Sequence, residues 1–229
     1  MERLFKYTEN FRLICVDNGS SDGTAEYLAD GVQHKKWDVI SAGENLGIIK
    51  GRNLGAINVT AAHFLNIDND QYVTPGWLEA LFERMDQGYD IVGCEAWLMH
   101  PPKAQGSVMI AGKLHGRAYF PFRHCQRPNE KFTYIGCGGM LIKKHVYDTI
   151  GLFDERFSPA YFEDPDLSFR AIQAGFKLAW QPRCDIEHLS HQTLGTQTSF
   201  DKGDQFLQSW RAFIAKWSPY YPEPIYMGG

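Results

Sequence analysis

The chain has 229 residues, of which 44% are hydrophobic and 22% charged, with a formal net charge of −4. This length and composition indicate one globular domain with a sizeable core, and they exclude a disordered or fibrous chain. The weakly acidic balance and the lack of a basic block argue against nucleic acid as a main partner.

The first part of the sequence alternates between strand-like and helix-like segments. Apolar residues at 11–16 predict a buried strand that ends at Asp17-Asn18-Gly19-Ser20, where all four residue types favour a turn. A helix is predicted to begin at Ala25, and a second strand covers residues 37–41. Residues 47–59 predict a second helix with an apolar side.

The same alternation continues through residue 98. Residues 61–67 predict a third strand, which runs directly into Asp68-Asn69-Asp70. A helix opens at Pro75, where the missing N–H of proline in a first turn costs nothing. Residues 89–98 predict a fourth strand. Strands alternating with helices are typical of a mostly parallel, Rossmann-like α/β sheet flanked by helices.

The pattern changes after His100. Residues 101–129 show little periodicity, and we interpret them as an excursion such as a β-hairpin. A strand is predicted after the glycine-rich stretch 136–139, and residues 164–174 have a helical pattern closed by Gly175. A further strand at 176–180 and a terminal helix at 201–217 complete the prediction.

Five scattered cysteines show no Cys-x-x-Cys spacing, which argues against a structural zinc site and against a disulfide scaffold. A reducing compartment is the simplest interpretation. The sequence contains neither an apolar run as long as a membrane span nor a signal-peptide pattern. We therefore expect a cytoplasmic protein, with peripheral contact to a membrane surface left open. The cysteines are Cys15, Cys94, Cys125, Cys137 and Cys184.

Two acidic clusters indicate catalytic or binding chemistry, and the first is Asp68-Asn69-Asp70. Asp17 and Asp68 each lie at the end of a predicted strand, and ligands of open α/β sheets bind at the carboxyl ends of strands. The second cluster is Glu163-Asp164-Pro165-Asp166. Hard divalent cations prefer oxygen ligands, and a separate carboxylate can act as a general base. Each cluster alone also fits a turn or a helix cap; together they predict an enzyme acting on a metal-bound, phosphate-bearing substrate.

Four segments, in this order, resemble motifs of one family. Residues 16–24 read VDNGSSDGT, Asp68–Asp70 forms an Asp-x-Asp element, residues 138–170 contain GGMLI, GLFDERF and FEDPDLSFR, and Pro182 precedes His188. This set resembles family 2 glycosyltransferases of the inverting, rhamnosyltransferase-like kind. The resemblance implies a GT-A fold, a nucleoside-diphosphate sugar donor and a Mn²⁺ or Mg²⁺ cofactor. It covers roughly residues 11–193.

The resemblance also implies roles for residues in the donor site. Asp17 would bind the nucleobase, and Asn45 and Arg52 would lie near the nucleotide. Asp68 would face the ribose or the metal ion. The corresponding division of the single domain 1–229 is a nucleotide-binding half at 1–98, an acceptor and catalytic half at 99–200, and a C-terminal helix and tail at 201–229.

Metal binding and catalysis would involve the remaining matched positions. Asp70, together with Asp68, would ligate the ion that bridges the diphosphate. His188 would be a further metal ligand or a phosphate contact, with His191 as a competing candidate. Asp164 would deprotonate the acceptor hydroxyl of a glycan, a lipid-linked sugar or a small molecule, which implies inversion at the anomeric carbon.

One departure from the family pattern concerns the first strand. In the family, a strand and a helix precede the strand that ends at Asp17; residues 1–7 resemble the end of that helix, and the strand has no counterpart. Its absence would leave ladder hydrogen bonds unpaired. Three explanations stay open: a natural or engineered truncation of the chain, a homodimer that covers the gap, or the segment Pro224–Met227 in its place. The alternative function is a non-catalytic nucleotide-sugar-binding module; a nucleotidyltransferase would need a basic phosphate loop that is not visible.

Overall fold

A computed structural model describes residues 1–34, 36–99, 122–127, 131–189 and 202–217. Its helices are α1 Glu2–Tyr7, α2 Thr24–Gln33, α3 Gly47–Ala56, α4 Trp77–Asp86, α5 Lys144–Ile150, α6 Glu163–Gln173 and α7 Lys202–Trp217. Its strands are β1 Ile14–Asp17, β2 Asp38–Ser41, β3 His63–Asn66, β4 Gln71–Val73, β5 Ile91–Gly93, β6 Ala96–Met99, β7 Phe122–His124, β8 Tyr134–Ile135, β9 Met140–Lys143, β10 Leu178–Trp180 and β11 Ile186–His188.

The strands form a mixed α/β arrangement. β1 pairs in parallel with β2, and a four-stranded sheet has the order β10-β5-β9-β3. In that sheet β3, β5 and β10 share one direction, while β9 lies antiparallel between β3 and β5. The α/β class predicted from the alternating pattern is therefore confirmed. The antiparallel insertion of β9 was not predicted, because a strand's direction is not encoded in its own residues.

The predicted fourth strand divides into two. β5 ends at Gly93 in the four-stranded sheet, and β6 begins at Ala96 in a separate sheet with β7 and β8. Cys94 and Glu95 lie between them. A Cβ atom at Gly93 would collide with the side chain of Ile135, so only glycine allows the two layers to approach this closely. Of the excursion 101–129, the described part contributes β7, and the rest lies outside the described residues.

A gap separates the two parallel parts of the fold. Among the described residues β1 pairs with β2 alone, and β3 pairs with β9 alone, so each of the two strands has one edge without a strand partner. Both strands line one cavity of about 2070 Å³. Ile14, Cys15 and Val16 of β1 are only half-buried. The segment Pro224–Met227 lies outside the described residues, and the homodimer stays a prediction.

The cysteine interpretation needs a correction. The structure joins Cys94 to Cys184 in a disulfide, while Cys15, Cys125 and Cys137 carry thiols. The sequence pattern had argued against a disulfide scaffold, and 90 residues separate the two partners, so no local spacing reports their proximity. The pair removes the argument for a reducing compartment. Among the described helices, none has both the length and the apolar character needed to cross a membrane.

The main core surrounds α6 and binds α7 to the rest of the protein. Asp166 of α6 is fully buried and accepts hydrogen bonds from Arg170 Nε at 2.8 Å and from Trp217 Nε1 at 2.9 Å. Lys216 Nζ lies 2.6 Å from the same carboxylate. Phe213 is buried between Phe162 and Phe169, with ring centroids 5.4 Å from each. This packing fixes the position of the α6 amino terminus.

We expect Asp166→Ala to lower the free energy of unfolding by about 3–5 kcal/mol, because it removes a fully buried carboxylate that accepts hydrogen bonds from Arg170 and Trp217 and pairs with Lys216. Urea unfolding followed by circular dichroism measures this change. The control is Asp148→Ala, which removes an exposed pair with Lys144 one turn away and should change stability by about 0.5 kcal/mol or less. Equal effects of the two substitutions would contradict the anchoring role of Asp166.

Candidate active site

The turn after β1 is locked to the turn before α3. Asp17 is buried, and its Oδ1 accepts a hydrogen bond from Ser20 N at 3.0 Å. Asn18 Oδ1 accepts from Leu46 N at 3.0 Å, and Asn45 Oδ1 accepts from Gly47 N at 2.9 Å. Asn18, Gly19, Ser20 and Asn45 line the cavity. Asp17 lies beneath this turn and is not part of the cavity lining, so its predicted contact with a nucleobase stays a prediction.

The second acidic segment brings two carboxylates next to a histidine. β4 pairs with β11 so that Gln71 lies opposite His188, and Leu189 N donates to Asp70 O at 2.9 Å. This pairing places His188 Nε2 3.2 Å from Asp70 Oδ1. Ligand atoms of Asp68, Asp70 and His188 all lie within 4.8 Å of one another. The structure thus brings together the three residues to which the resemblance gave a metal-binding role; that role stays a prediction, and His191 lies outside the described residues.

The three ligand atoms fit a divalent cation. Carboxylate oxygens suit Mn²⁺ and Mg²⁺ alike, whereas an imidazole nitrogen in the set favours a transition metal over Mg²⁺, which prefers oxygen ligands. The three groups leave room in the coordination sphere for the oxygens of a diphosphate. The residues that are present therefore fit the cation that the sequence resemblance implied.

Arg52 lies among carboxylates. Its Nη2 donates to Asp68 Oδ1 at 2.8 Å and Oδ2 at 3.0 Å, and its Nη1 donates to Glu163 Oε1 at 3.1 Å. Asp164 Oδ1 lies 4.0 Å from the same Nη1. The guanidinium thus joins the turn after β3 to the amino terminus of α6. In this position it neutralises acidic side chains; the predicted place beside a nucleotide is not tested.

Asp164 occupies the first turn of α6 and faces the cavity. Its Oδ2 accepts a hydrogen bond from Cys137 N at 3.1 Å, whereas its Oδ1 is buried and has no hydrogen-bond partner among the described residues. Burial raises the pKa of Asp164 above its ordinary range, although the guanidinium of Arg52 lowers it. A carboxylate with one unpartnered oxygen and a raised pKa is suited to accept a proton from a substrate hydroxyl.

Two further carboxylates in the cavity were missed by the sequence prediction. Burial, with a further contribution from Asp164, raises the pKa of Glu163 to about 7. Glu95 Oε1 lies 3.8 Å from His188 Nδ1, and burial raises the pKa of Glu95. In the sequence, Glu163 belongs to the second acidic cluster without a role of its own. Glu95 falls inside the predicted strand 89–98, whereas the structure places it between β5 and β6.

The chain matches a known protein family. Residues 1–150 match the family model described as glycosyl transferase family 2, and the chain belongs to this family. It is therefore a glycosyltransferase domain.

Two solved structures share the fold. The crystal structure of GalNAc-T7 with UDP, GalNAc and Mn²⁺ aligns with a TM-score of 0.70 at 15% identity, over 96% of this chain and 45% of that one. Residues 1–349 of S. aureus TarS in complex with UDP-GlcNAc align with a TM-score of 0.59 at 14% identity, over 94% of this chain and 60% of that one. At these identities the likeness establishes the GT-A fold.

Curated relatives are longer than this chain. Human polypeptide N-acetylgalactosaminyltransferase 3 is 27% identical over 238 residues, which cover 93% of this chain and 37% of that protein. The pre-mycofactocin glycosyltransferase of Mycobacterium tuberculosis is 25% identical over 195 residues, which cover 84% of this chain and 40% of that protein. The chain thus spans less than half the length of these relatives.

We expect the stability of the metal-free protein to depend on Glu163 between pH 4.5 and 7. The folded-state pKa of about 7 lies above the ordinary value of 4.5, so the folded state retains a proton that the unfolded state has lost. Raising the pH across this window therefore lowers the free energy of unfolding, by at most about 1.4 kcal/mol per pH unit. Urea unfolding of wild type and Glu163→Gln at several pH values measures the difference.

The Gln variant should lose this part of the pH dependence, because it carries no titrating group at residue 163. Glu79→Gln, at an exposed position of α4, is the control and should keep the wild-type slope. A Glu163→Gln variant with an unchanged slope would show that the buried carboxyl does not retain the proton.

Proposed function

We propose that this domain transfers a sugar from a nucleoside-diphosphate sugar to an acceptor hydroxyl with inversion, that the reaction depends on a divalent cation, and that Asp164 is the general base. The observation that carries the proposal is the convergence of two chemically different groups on one cavity. Asp68, Asp70 and His188 form a ligand set, and Asp164 offers a buried oxygen without a partner. The division into a nucleotide-binding half at 1–98, an acceptor and catalytic half at 99–200, and a C-terminal helix and tail at 201–229 is part of this proposal.

The donor would bind along the carboxyl ends of β1 and β3. The turn of Asn18, Gly19 and Ser20 and the residue Asn45 offer polar groups for the nucleoside, and the ligand set lies further along the same cavity. GalNAc-T7 was solved with UDP and TarS with UDP-GlcNAc, which supports uridine diphosphate sugars as the first donors to test. A bound divalent cation would offset the negative charge that develops on the leaving diphosphate.

Asp164 and its neighbours would handle the acceptor. A sugar hydroxyl is a weak nucleophile, and proton transfer to a positioned carboxylate accelerates its attack by roughly 10²–10⁴-fold. The hydrogen bond from Cys137 N fixes the orientation of the Asp164 carboxylate and leaves Oδ1 to take the proton. Arg52 keeps Asp164 and Glu163 from repelling Asp68, because its guanidinium lies between them.

Asp164→Asn should reduce transfer by roughly 10²–10⁴-fold and leave donor affinity nearly unchanged, because an amide cannot accept the proton. Isothermal titration calorimetry with UDP and Mn²⁺ measures binding, and product formation from UDP-GalNAc and UDP-GlcNAc with a panel of acceptors measures transfer. Asp148→Asn, at an exposed helix position, is the control. An Asn variant that transfers at the wild-type rate would refute the assignment of the base.

The wild-type assay also separates the two functions that the sequence left open. Donor binding without turnover, across every donor and acceptor combination, would favour the non-catalytic module over the enzyme. Where product forms, ¹H NMR of its anomeric proton reports the stereochemistry. Retention of configuration would refute the in-line attack assisted by Asp164.

Chelation with EDTA should abolish transfer, and added Mn²⁺ should restore it. Asp70→Asn should weaken Mn²⁺ binding by at least roughly tenfold, since even residues that only support metal ligands change affinity by that much. Electron paramagnetic resonance measures free Mn²⁺ directly, without turnover. Asp86→Asn, at an exposed position at the end of α4, should bind Mn²⁺ like wild type; full activity in EDTA would contradict metal dependence.

A further inference from the structure

Gln71 follows the Asp68-Asn69-Asp70 turn and closes it from two sides. Its backbone N–H donates to Asp68 O at 3.2 Å, and its side-chain Oε1 accepts from Asp68 N at 2.9 Å. Both backbone polar groups of Asp68 are therefore held by the same residue. Because the two bonds bracket the turn, they fix the backbone from which the Asp68 and Asp70 carboxylates project.

The same residue connects the turn to the histidine. Gln71 lies directly opposite His188 in the antiparallel pairing of β4 and β11. Gln71 thus holds the backbone of Asp68 and faces His188 across the strand pair, while contributing no ligand atom itself.

Burial of the Gln71 side chain is unfavourable for the free energy of folding. It is 9% exposed, and its Nε2 has no hydrogen-bond partner among the described residues. A buried amide nitrogen without a partner disfavours the folded state, so stability alone does not account for a glutamine here. The glutamine matches what the turn requires, which is an acceptor at the end of a side chain long enough to reach Asp68 N.

Gly138 provides the space that this side chain needs. A Cβ atom at residue 138 would lie 2.9 Å from Gln71 Cδ and closer still to Nε2. These are atoms at the far end of a flexible side chain, so a methyl group at residue 138 would displace the Gln71 amide and leave the backbone in place. Gly138, in the glycine-rich stretch before β9, thus leaves the space in which the Gln71 side chain can bond to Asp68.

We infer that Gln71 is a positioning residue for the cation site, and that Gly138 is glycine so that the Gln71 side chain can hold Asp68. That the site binds a cation rests on the proposed function. That Gln71 fixes the Asp68-Asn69-Asp70 turn does not, so this part can be tested in the protein without metal.

The first test measures hydrogen exchange at the Asp68 amide by NMR, in metal-free protein. Gln71→Leu removes the acceptor and keeps the size of the side chain, so we expect the Asp68 amide to exchange at least tenfold faster. Gly138→Ala should accelerate the same amide by displacing the acceptor, with residue 71 unchanged. Gln71→Glu keeps an acceptor at the same position and should retain protection. Equal exchange in wild type and Gln71→Leu would overturn the inference.

The second test compares Mn²⁺ affinity with thermal stability. Gln71→Leu should weaken Mn²⁺ binding roughly ten- to hundredfold, the range for residues that orient metal ligands, with little change in Tm. The matched control is Gln181→Leu: Gln181 is also buried, but its Nε2 donates to Ala80 O at 2.8 Å, away from the site. This variant should lower Tm and leave Mn²⁺ affinity unchanged.

The opposite pattern, with Gln71→Leu lowering Tm as much as Gln181→Leu and leaving Mn²⁺ affinity at the wild-type value, would make Gln71 a structural residue only. Asp70→Asn distinguishes this failure from a failure of the proposed function. If Asp70→Asn also leaves Mn²⁺ affinity unchanged, the proposed cation site is wrong. Hydrogen exchange at the Asp68 amide then tests only whether Gln71 fixes the turn.

Discussion

The site depends on the largely buried guanidinium of Arg52. Asp68, Glu163 and Asp164 come from two segments far apart in sequence, and at close range their negative charges would repel one another in a medium of low dielectric constant. Arg52 bonds to two of these carboxylates and lies 4.0 Å from the third. It therefore allows the turn that holds the ligand set and the helix that holds the candidate base to share one cavity wall. A planar, permanently charged group with several donors suits this task better than an ammonium group.

The sequence predicted the parts of the site that follow from local pattern. Asp68 and Asp70 end an apolar run, and Asp164 begins a helical pattern, so strand and helix periodicity located all three. The partners of these residues depend on contacts between distant segments. The resemblance named Arg52 as a candidate donor-site residue, but its bonds to carboxylates were not predicted, because a charge on a helix does not reveal what it faces. Glu95 was missed because the break after Gly93 depends on packing against Ile135, a residue of another strand.

The fold shows the same limit. The alternating pattern predicted the α/β class and most helices and strands, since each element carries its own periodicity. The antiparallel direction of β9 and the Cys94–Cys184 disulfide depend on how elements are arranged in space. Gln71 illustrates the same point at the scale of one residue. Gln71 makes two hydrogen bonds to Asp68, and its side chain fits because residue 138 is a glycine. Neither relation can be inferred from the sequence alone.

The cavity that contains the acidic cluster also reaches the edges of two strands. One edge of β1 and one edge of β3 have no strand partner among the described residues, and both strands line the cavity together with Asp164. The same cavity extends to exposed residues such as Met1 and Arg12. A segment that paired with either edge would therefore narrow the space through which solvent reaches the Asp164 carboxylate.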